Sequence, residues 1–337
     1  MKKQRIVIIC PGRGAYTRET SSYLKKNGAQ ANSQVDWMDR QRMSAGLPSL
    51  SDLDTMPFKG NIHMAGEHAS ALIYACSLSD FLSIDQKKYE IVAITGNSMG
   101  WYIAMGLGGA INYENTYHLI QTMGAMMSDR IIGGQIIYPI TNKNWQVDQA
   151  KKEIVLDEIK KVDAHVSIYL GGYLVIGGEQ SALDILLKRL PAENKYPFQI
   201  PFHAAFHTPL MHGVSQKGMA KLSTSFFQKP KIPLIDGRGH IWTPFSTDVN
   251  ELYDYTLGRQ VVSTYDFSTA ITVALKEFCP EKLVLLGPGS SLGGSIGQII
   301  IKNNWLDIDS KLAFSKRQKS EPYLISMGIN DQRNILA

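Results

Sequence analysis

Cysteine is scarce in this chain: Cys10, Cys76 and Cys279 are the three among 337 residues, and they stand far apart. That spacing offers neither a disulfide framework nor the paired ligands of a structural zinc site, so no metal is expected. Charge of one sign is missing as a block. The formal net charge is +5, and the short basic clusters KK (25–26), KK (160–161) and SKRQK (315–319) have the form of solvated faces rather than of a nucleic-acid arm. Long apolar runs are absent too; nothing approaches the ~20 residues of a membrane span. The N-terminal MKKQRIVIIC puts basic residues before an apolar run. That run is about five residues long, short of the roughly 7–15 of an export signal, and reads as a first buried strand. A cytoplasmic protein with no nucleic-acid and no membrane partner is expected.

With 337 residues, 44% of them hydrophobic, the chain can bury a large core as one large domain or two ordinary ones. RIVIIC (5–10) is a β-branched run ending at Pro11-Gly12, a strand entering a Gly-rich loop. Residues 65–83 have helical length and spacing. IVAIT (91–95) is a second strand, and WYIAMGLGGAI (101–111) a small-residue helix after it. A further helix is predicted over 112–130, with Asn112 or Asn115 as its cap. From Gly133 the texture changes: QIIYPI (135–140), a charged helix (148–162), HVSIYL (165–170), YLVIGG (173–178), a helix (181–190) and PFQIPF (197–202) alternate at short spacing. That is the β-α-β-β-α-β order of a ferredoxin-like α+β unit. The larger unit then resumes with KIPLID (231–236), a helix near 265–278, KLVLLG (282–287) and a Gly-rich turn.

Strand, sharp turn and helix around GNSMG (96–100) make Ser98 a candidate nucleophile on an elbow. A serine hydroxyl needs a base to take its proton and donors for the oxyanion it creates. The N–H of Met99, at the start of the following helix, is a natural donor. Eight histidines are available as the base, and spacing alone does not choose among them; His207 lies where the inserted unit returns to the large one, while His203, His212 and His240 read as structural.

The ordered set PGRG (11–14), GNSMG (96–100), AFHTPLM (205–211), RQVVSTYDF (259–267) and LLGPGSSL (285–292) resembles, as a divergent member, the malonyl-CoA:acyl-carrier-protein transacylases. It also resembles the related acyltransferase domains of polyketide and fatty-acid synthases. Those carry PGQG, GHSxG, a Phe or Ser before the catalytic histidine, a Gln followed by Val-x-x-x-x-Trp, and a late GPG. The likeness covers about residues 5–300. It implies an α/β-hydrolase-like large domain (1–132 and 203–304), an inserted ferredoxin-like subdomain (133–202) and a C-terminal tail (305–337). It also implies that Ser98 is acylated, that His207 is the general base, that the Gln260 carbonyl orients it, and that the N–H groups of Met99 and Arg13 bind the oxyanion. Acyl-CoA is then the substrate thioester and a phosphopantetheinylated acyl carrier protein the partner, with no bound cofactor.

Several positions depart from the family pattern, and they fall at the acyl pocket. Met123 stands where diacid-specific relatives place the arginine that holds the malonyl carboxylate bidentately. Three replies follow: an uncharged acyl group such as acetyl, a replacement cation at Arg13 or Arg130, or water as the acceptor in place of a carrier thiol. A non-catalytic carrier-protein-binding relative is a further reading. Asn97 replaces the elbow histidine and Trp101 the glutamate after it, and both are expected at the substrate with Phe206. Tyr169 and Tyr173 take the polar places of an Asn-Ser-Pro-x-Gln stretch, and Phe267 replaces the Trp. A narrow, more aromatic and less polar pocket is therefore expected.

Overall fold

The computed structural model describes residues 2–127 and 131–336. In chain order, the described strands begin with β1 (Gln4–Cys10), β2 (Tyr89–Gly96), β3 (Gly134–Pro139), β4 (His165–Leu170), β5 (Tyr173–Gly178) and β6 (Phe198–Gln199). They continue with β7 (Leu234–Ile235), β8 (Ile241–Trp242), β9 (Tyr265–Asp266), β10 (Lys282–Leu285) and β11 (Leu324–Ser326). Six form the large sheet in the order β11-β10-β1-β2-β7-β8. All neighbours in it are parallel except β8, which runs antiparallel to β7. The run Ile6–Cys10 is wholly buried, because helices cover both faces of a parallel sheet. One of them, Gly66–Ser83, is buried from Ala69 to Phe81. The helix predicted over 112–130 spans Tyr113–Ala125, capped by Asn112, whose Oδ1 accepts the Asn115 N–H at 2.7 Å. Such a cap stabilises a helix by about 1 kcal/mol.

The second sheet has the order β6-β3-β5-β4-β9, and its first four strands with helices Gln149–Lys161 and Gln180–Arg189 are the ferredoxin-like unit. Alternation of side chains across a strand gives this sheet two apolar faces. Ile136, Tyr138, Leu174 and Ile176 pack in a small core with Leu183 and Leu186, whereas Val175 and Ile137 turn to the large domain's core. The two faces explain why these strands read as unbroken apolar runs.

Four expectations are corrected. Residues 305–337 are not a separate tail, since β11 pairs with β10 and extends the large sheet. The small sheet draws a fifth strand, β9, from outside 133–202; it runs parallel to β4. PFQIPF shrinks to two strand residues between Pro197 and Pro201, and KIPLID to two after Pro233, because proline has no N–H to give a ladder.

The C-terminal segment is tied in by a buried ion pair. Asp80, fully buried, accepts hydrogen bonds from Arg333 Nη2 at 2.5 Å, Tyr23 Oη at 2.7 Å and the Gly287 N–H at 2.7 Å. Asp80→Ala leaves a half-buried guanidinium and a buried N–H without their acceptor. It is expected to cost roughly 3–5 kcal/mol, read as a lower urea midpoint at unchanged slope; a midpoint equal to the wild type's would show that the pair does not hold the fold.

Candidate active site

β1 and β2 are parallel neighbours in register from Gln4↔Tyr89 to Cys10↔Gly96, so the loops PGRG and GNSMG leave the same sheet edge side by side. Ligands of open α/β sheets bind beyond such carboxyl ends. Ser98 has φ 56°, in the left-handed region that a serine adopts at a cost of roughly 1–3 kcal/mol. That twist lifts its hydroxyl off the strand. The turn closes only because of glycine: a Cβ at Gly96 would strike the Gly100 carbonyl, and one at Gly100 the carbonyl of Cys10.

His207 Nε2 lies 2.7 Å from Ser98 Oγ, and Nδ1 lies 2.6 Å from the carbonyl oxygen of Gln260. A carbonyl only accepts, so Nδ1 carries the hydrogen and Nε2 is left as the acceptor for the serine hydroxyl. The helical run from Val249, through a π-helical turn at Tyr255–Arg259, ends at Val262. Its last carbonyls have no partner within the helix. Gln260 offers one to His207 Nδ1 and Val261 another to the His207 N–H at 3.1 Å. The Gln260 side chain turns the other way: Nε2 donates to the Ser98 carbonyl at 3.1 Å, and Oε1 accepts from Tyr102 Oη at 3.1 Å. Burial pushes the His207 imidazole down to about 4, with the Gln260 carbonyl pulling in the opposite direction. The ring is therefore neutral, and a base, at neutral pH.

A cavity of about 280 Å³ opens beside Ser98 and His207. Asn97, Met99, Met123, Phe206, Gln260 and Arg13 are on its wall. Met99 is the N-cap of the helix Gly100–Leu107 after the elbow, and Arg13 starts a short 3₁₀ turn. First-turn N–H groups lack intrahelical acceptors, so both are available to an oxyanion next to Ser98. The Arg13 side chain enters the same cavity. Its guanidinium donates from Nη2 to the Phe202 carbonyl and stacks over the Phe206 ring, 5.0 Å from the centroid. Burial pulls its pKa down to about 10, which keeps it charged at neutral pH.

Some expected site residues are elsewhere. Trp101 is fully buried beneath the site, donating to Thr256 Oγ1 at 3.0 Å and packing edge-on against Tyr255. Tyr169 lies 5.7 Å from Lys152 Nζ, and Tyr173 packs on Tyr196, while Ile168 and Leu170 of the same strand line the cavity. Period-2 alternation explains it: Ile168 and Leu170 flank Tyr169 on β4 and point to the opposite face of the sheet. Phe267 is a core residue. The wall is mostly aliphatic, with Tyr102 and Phe206 on it as well, and Ile137, Val175 and Ile200 are contributed by the small sheet and the loop after it. Arg130 lies outside the described residues. His203, expected to be structural, is on the cavity wall with Nδ1 2.8 Å from Gln135 Oε1. Its signal was visible: it sits four residues before His207 in the same returning segment.

No protein-family model matches the chain. It is 23% identical over 279 residues to the non-reducing polyketide synthase nscA of Trichophyton tonsurans, covering 80% of this chain and 15% of that protein. The chain thus spans about one seventh of the synthases it matches. It is 23% identical over 232 residues to the polyketide biosynthesis malonyl CoA-acyl carrier protein transacylase PksC of Bacillus subtilis, 68% of this chain and 76% of the other. Among solved structures, the malonyl-CoA:ACP transacylase of Synechocystis sp. PCC 6803 superimposes with a TM-score of 0.76 at 14% identity, covering 99% of this chain and all of that one. The shared fold is a large α/β domain with a small inserted α+β unit.

The buried imidazole sets a pH dependence. A free histidine titrates near ~6.5, whereas His207 gains its proton only near 4. Labelling of Ser98 by a sulfonyl fluoride is expected to hold its rate from pH 7 down to about 5 and to fall with a midpoint near 4. A midpoint near 6.5 would contradict the burial. The His207→Ala variant is expected to lose labelling by roughly 10²-fold or more.

Proposed function

We propose that the chain is a serine acyltransferase that takes a short acyl group from coenzyme A onto Ser98 and passes it to the phosphopantetheine thiol of an acyl carrier protein. The single observation that carries this reading is the hydrogen-bonded line Ser98 Oγ, His207 Nε2, His207 Nδ1, Gln260 carbonyl at the mouth of an aliphatic cavity. The fold supports it, and so do the names of two of the similar proteins, which are malonyl-CoA:acyl-carrier-protein transacylases.

In the first half, Ser98 Oγ loses its proton to His207 Nε2 and bonds to the thioester carbonyl carbon. The oxygen takes the electron pair, held by the Met99 and Arg13 N–H groups. Collapse breaks the C–S bond, and the proton on Nε2 goes to the departing CoA sulfur. In the second half, the carrier thiol gives its proton to Nε2, its sulfur attacks the ester carbon, the C–O bond breaks and Ser98 recovers its proton. The imidazolium between these steps points its second N–H at the Gln260 carbonyl. That carbonyl stands at a helix C-terminus, where positive charge is favoured by about 0.3–1 kcal/mol. No carboxylate is needed behind the histidine.

The test is intact-protein mass after mixing with acyl-CoA, then with a holo carrier protein. Acyl-Ser98 should form, disappear on carrier addition, and reappear as acyl-carrier mass; Ser98→Ala should take no acyl group. An adduct on Ser98→Ala would overturn the assignment. Free acid released at the same rate with and without carrier would make the protein a hydrolase.

A further inference from the structure

We propose that Arg13 sets the charge of the acyl group: its guanidinium receives the terminal carboxylate of a dicarboxylic acyl thioester, at the place that Met123 leaves apolar. This rests on Ser98 being the acylated residue.

The cavity holds a cation with no anion. Among the described residues no aspartate or glutamate lines it, and Arg13 enters no ion pair. Among the described residues the guanidinium has one hydrogen-bond acceptor, the Phe202 carbonyl, and its buried Nε has no partner. Arg42 shows what a structural arginine looks like in the same fold. It is fully buried, and each nitrogen is satisfied: Nε by the Pro48 carbonyl at 2.7 Å, Nη1 by Gln121 Oε1 at 2.7 Å, Nη2 by His68 Nδ1 at 2.8 Å. A partly buried charge with a buried, unpartnered nitrogen is costly and calls for a role. An incoming carboxylate supplies the missing acceptor in the geometry a guanidinium prefers.

Position agrees with charge. Two helices, Gly66–Ser83 and Tyr113–Ala125, meet through Gly66 and Gly124, which approach too closely for any side chain. Arg13 Nη1 is at this crossing: a Cβ on Gly66 would lie 2.8 Å from it. Gly124 follows Met123, so the guanidinium reaches from the PGRG loop to the neighbourhood of the residue that carries the arginine in diacid-specific relatives. The Phe206 ring packs against the guanidinium, and the rest of the wall is mostly apolar. His203, next to it, is held neutral by burial and by Arg13 itself, and so adds no second charge.

Malonyl-CoA and acetyl-CoA, offered separately to the full chain, are the probes, and the readout is the ratio of their initial Ser98 acylation rates by intact-protein mass. The ratio is independent of the fraction of a variant that folds. Wild type is expected to favour malonyl. Arg13→Gln should lower the ratio by about tenfold or more, the effect of one lost charge-assisted hydrogen bond. Arg13→Lys, which keeps the charge but not the fork, should fall between. The double variant Arg13→Gln/Met123→Arg should recover part of the loss, since both side chains serve one spot. A wild-type preference for acetyl, or a ratio unmoved in Arg13→Gln, overturns the proposal while leaving Ser98 as the acylated residue. Failure of both thioesters to label Ser98 overturns the acyltransferase reading and this inference with it.

Discussion

Gln260 holds both halves of the reactive pair. Its backbone carbonyl takes the His207 Nδ1 hydrogen, and its side-chain amide grips the carbonyl of Ser98. Three segments separated by 109 and 53 positions along the chain meet at this one residue. The bond to Nδ1 settles the imidazole tautomer and leaves Nε2 with the free pair that the serine proton needs. A carboxylate in that place would hold the imidazolium more strongly. A helix-terminal carbonyl holds it by one hydrogen bond and the helix dipole, while burial keeps the resting ring neutral.

The sheet explains why Ser98 and the N–H groups of Met99 and Arg13 arrive together. Adjacent parallel strands end at the same level, so the loop after β1 and the elbow after β2 share a wall. Strain at Ser98 is tolerated because packed β-strands and the elbow helix determine it from both sides, and glycine on either side removes the side chains that would prevent closure. The inserted unit contributes differently. One face of its sheet closes its own small core, and the other roofs the cavity with aliphatic side chains. The cavity is thus a joint product of two units, apolar on one side and carrying on the other, among the described residues, one arginine.

Much of the fold was legible. Apolar runs and Gly-Pro punctuation located β1, β2, β10 and the β-α-β-β-α-β order, because burial on two faces forces continuous apolar runs and turns force glycine. The likeness of five ordered motifs picked out Ser98, Met99, His207 and Gln260, which the fold brings to one cavity, the first, third and fourth linked by hydrogen bonds. What misled was residue type without direction. Trp101, Tyr169 and Tyr173 occupy positions that matter in related sequences, yet their side chains point into the core or away from the cavity. β11 was missed as well: three residues, two of them apolar, are too few to register as a strand until β10 stands beside them.

The sequence alone determined the elements, the elbow and the residue types available for chemistry, since these follow from local sterics and hydrophobic spacing. Tertiary structure decided partnership. Which of eight histidines faces Ser98, which carbonyl faces that histidine, and whether a cation meets an acid or an empty wall are questions of distance between remote segments. Local sterics and hydrophobic spacing carry no such distance, so the partnerless nitrogen of Arg13 became visible only once the chain was folded around it.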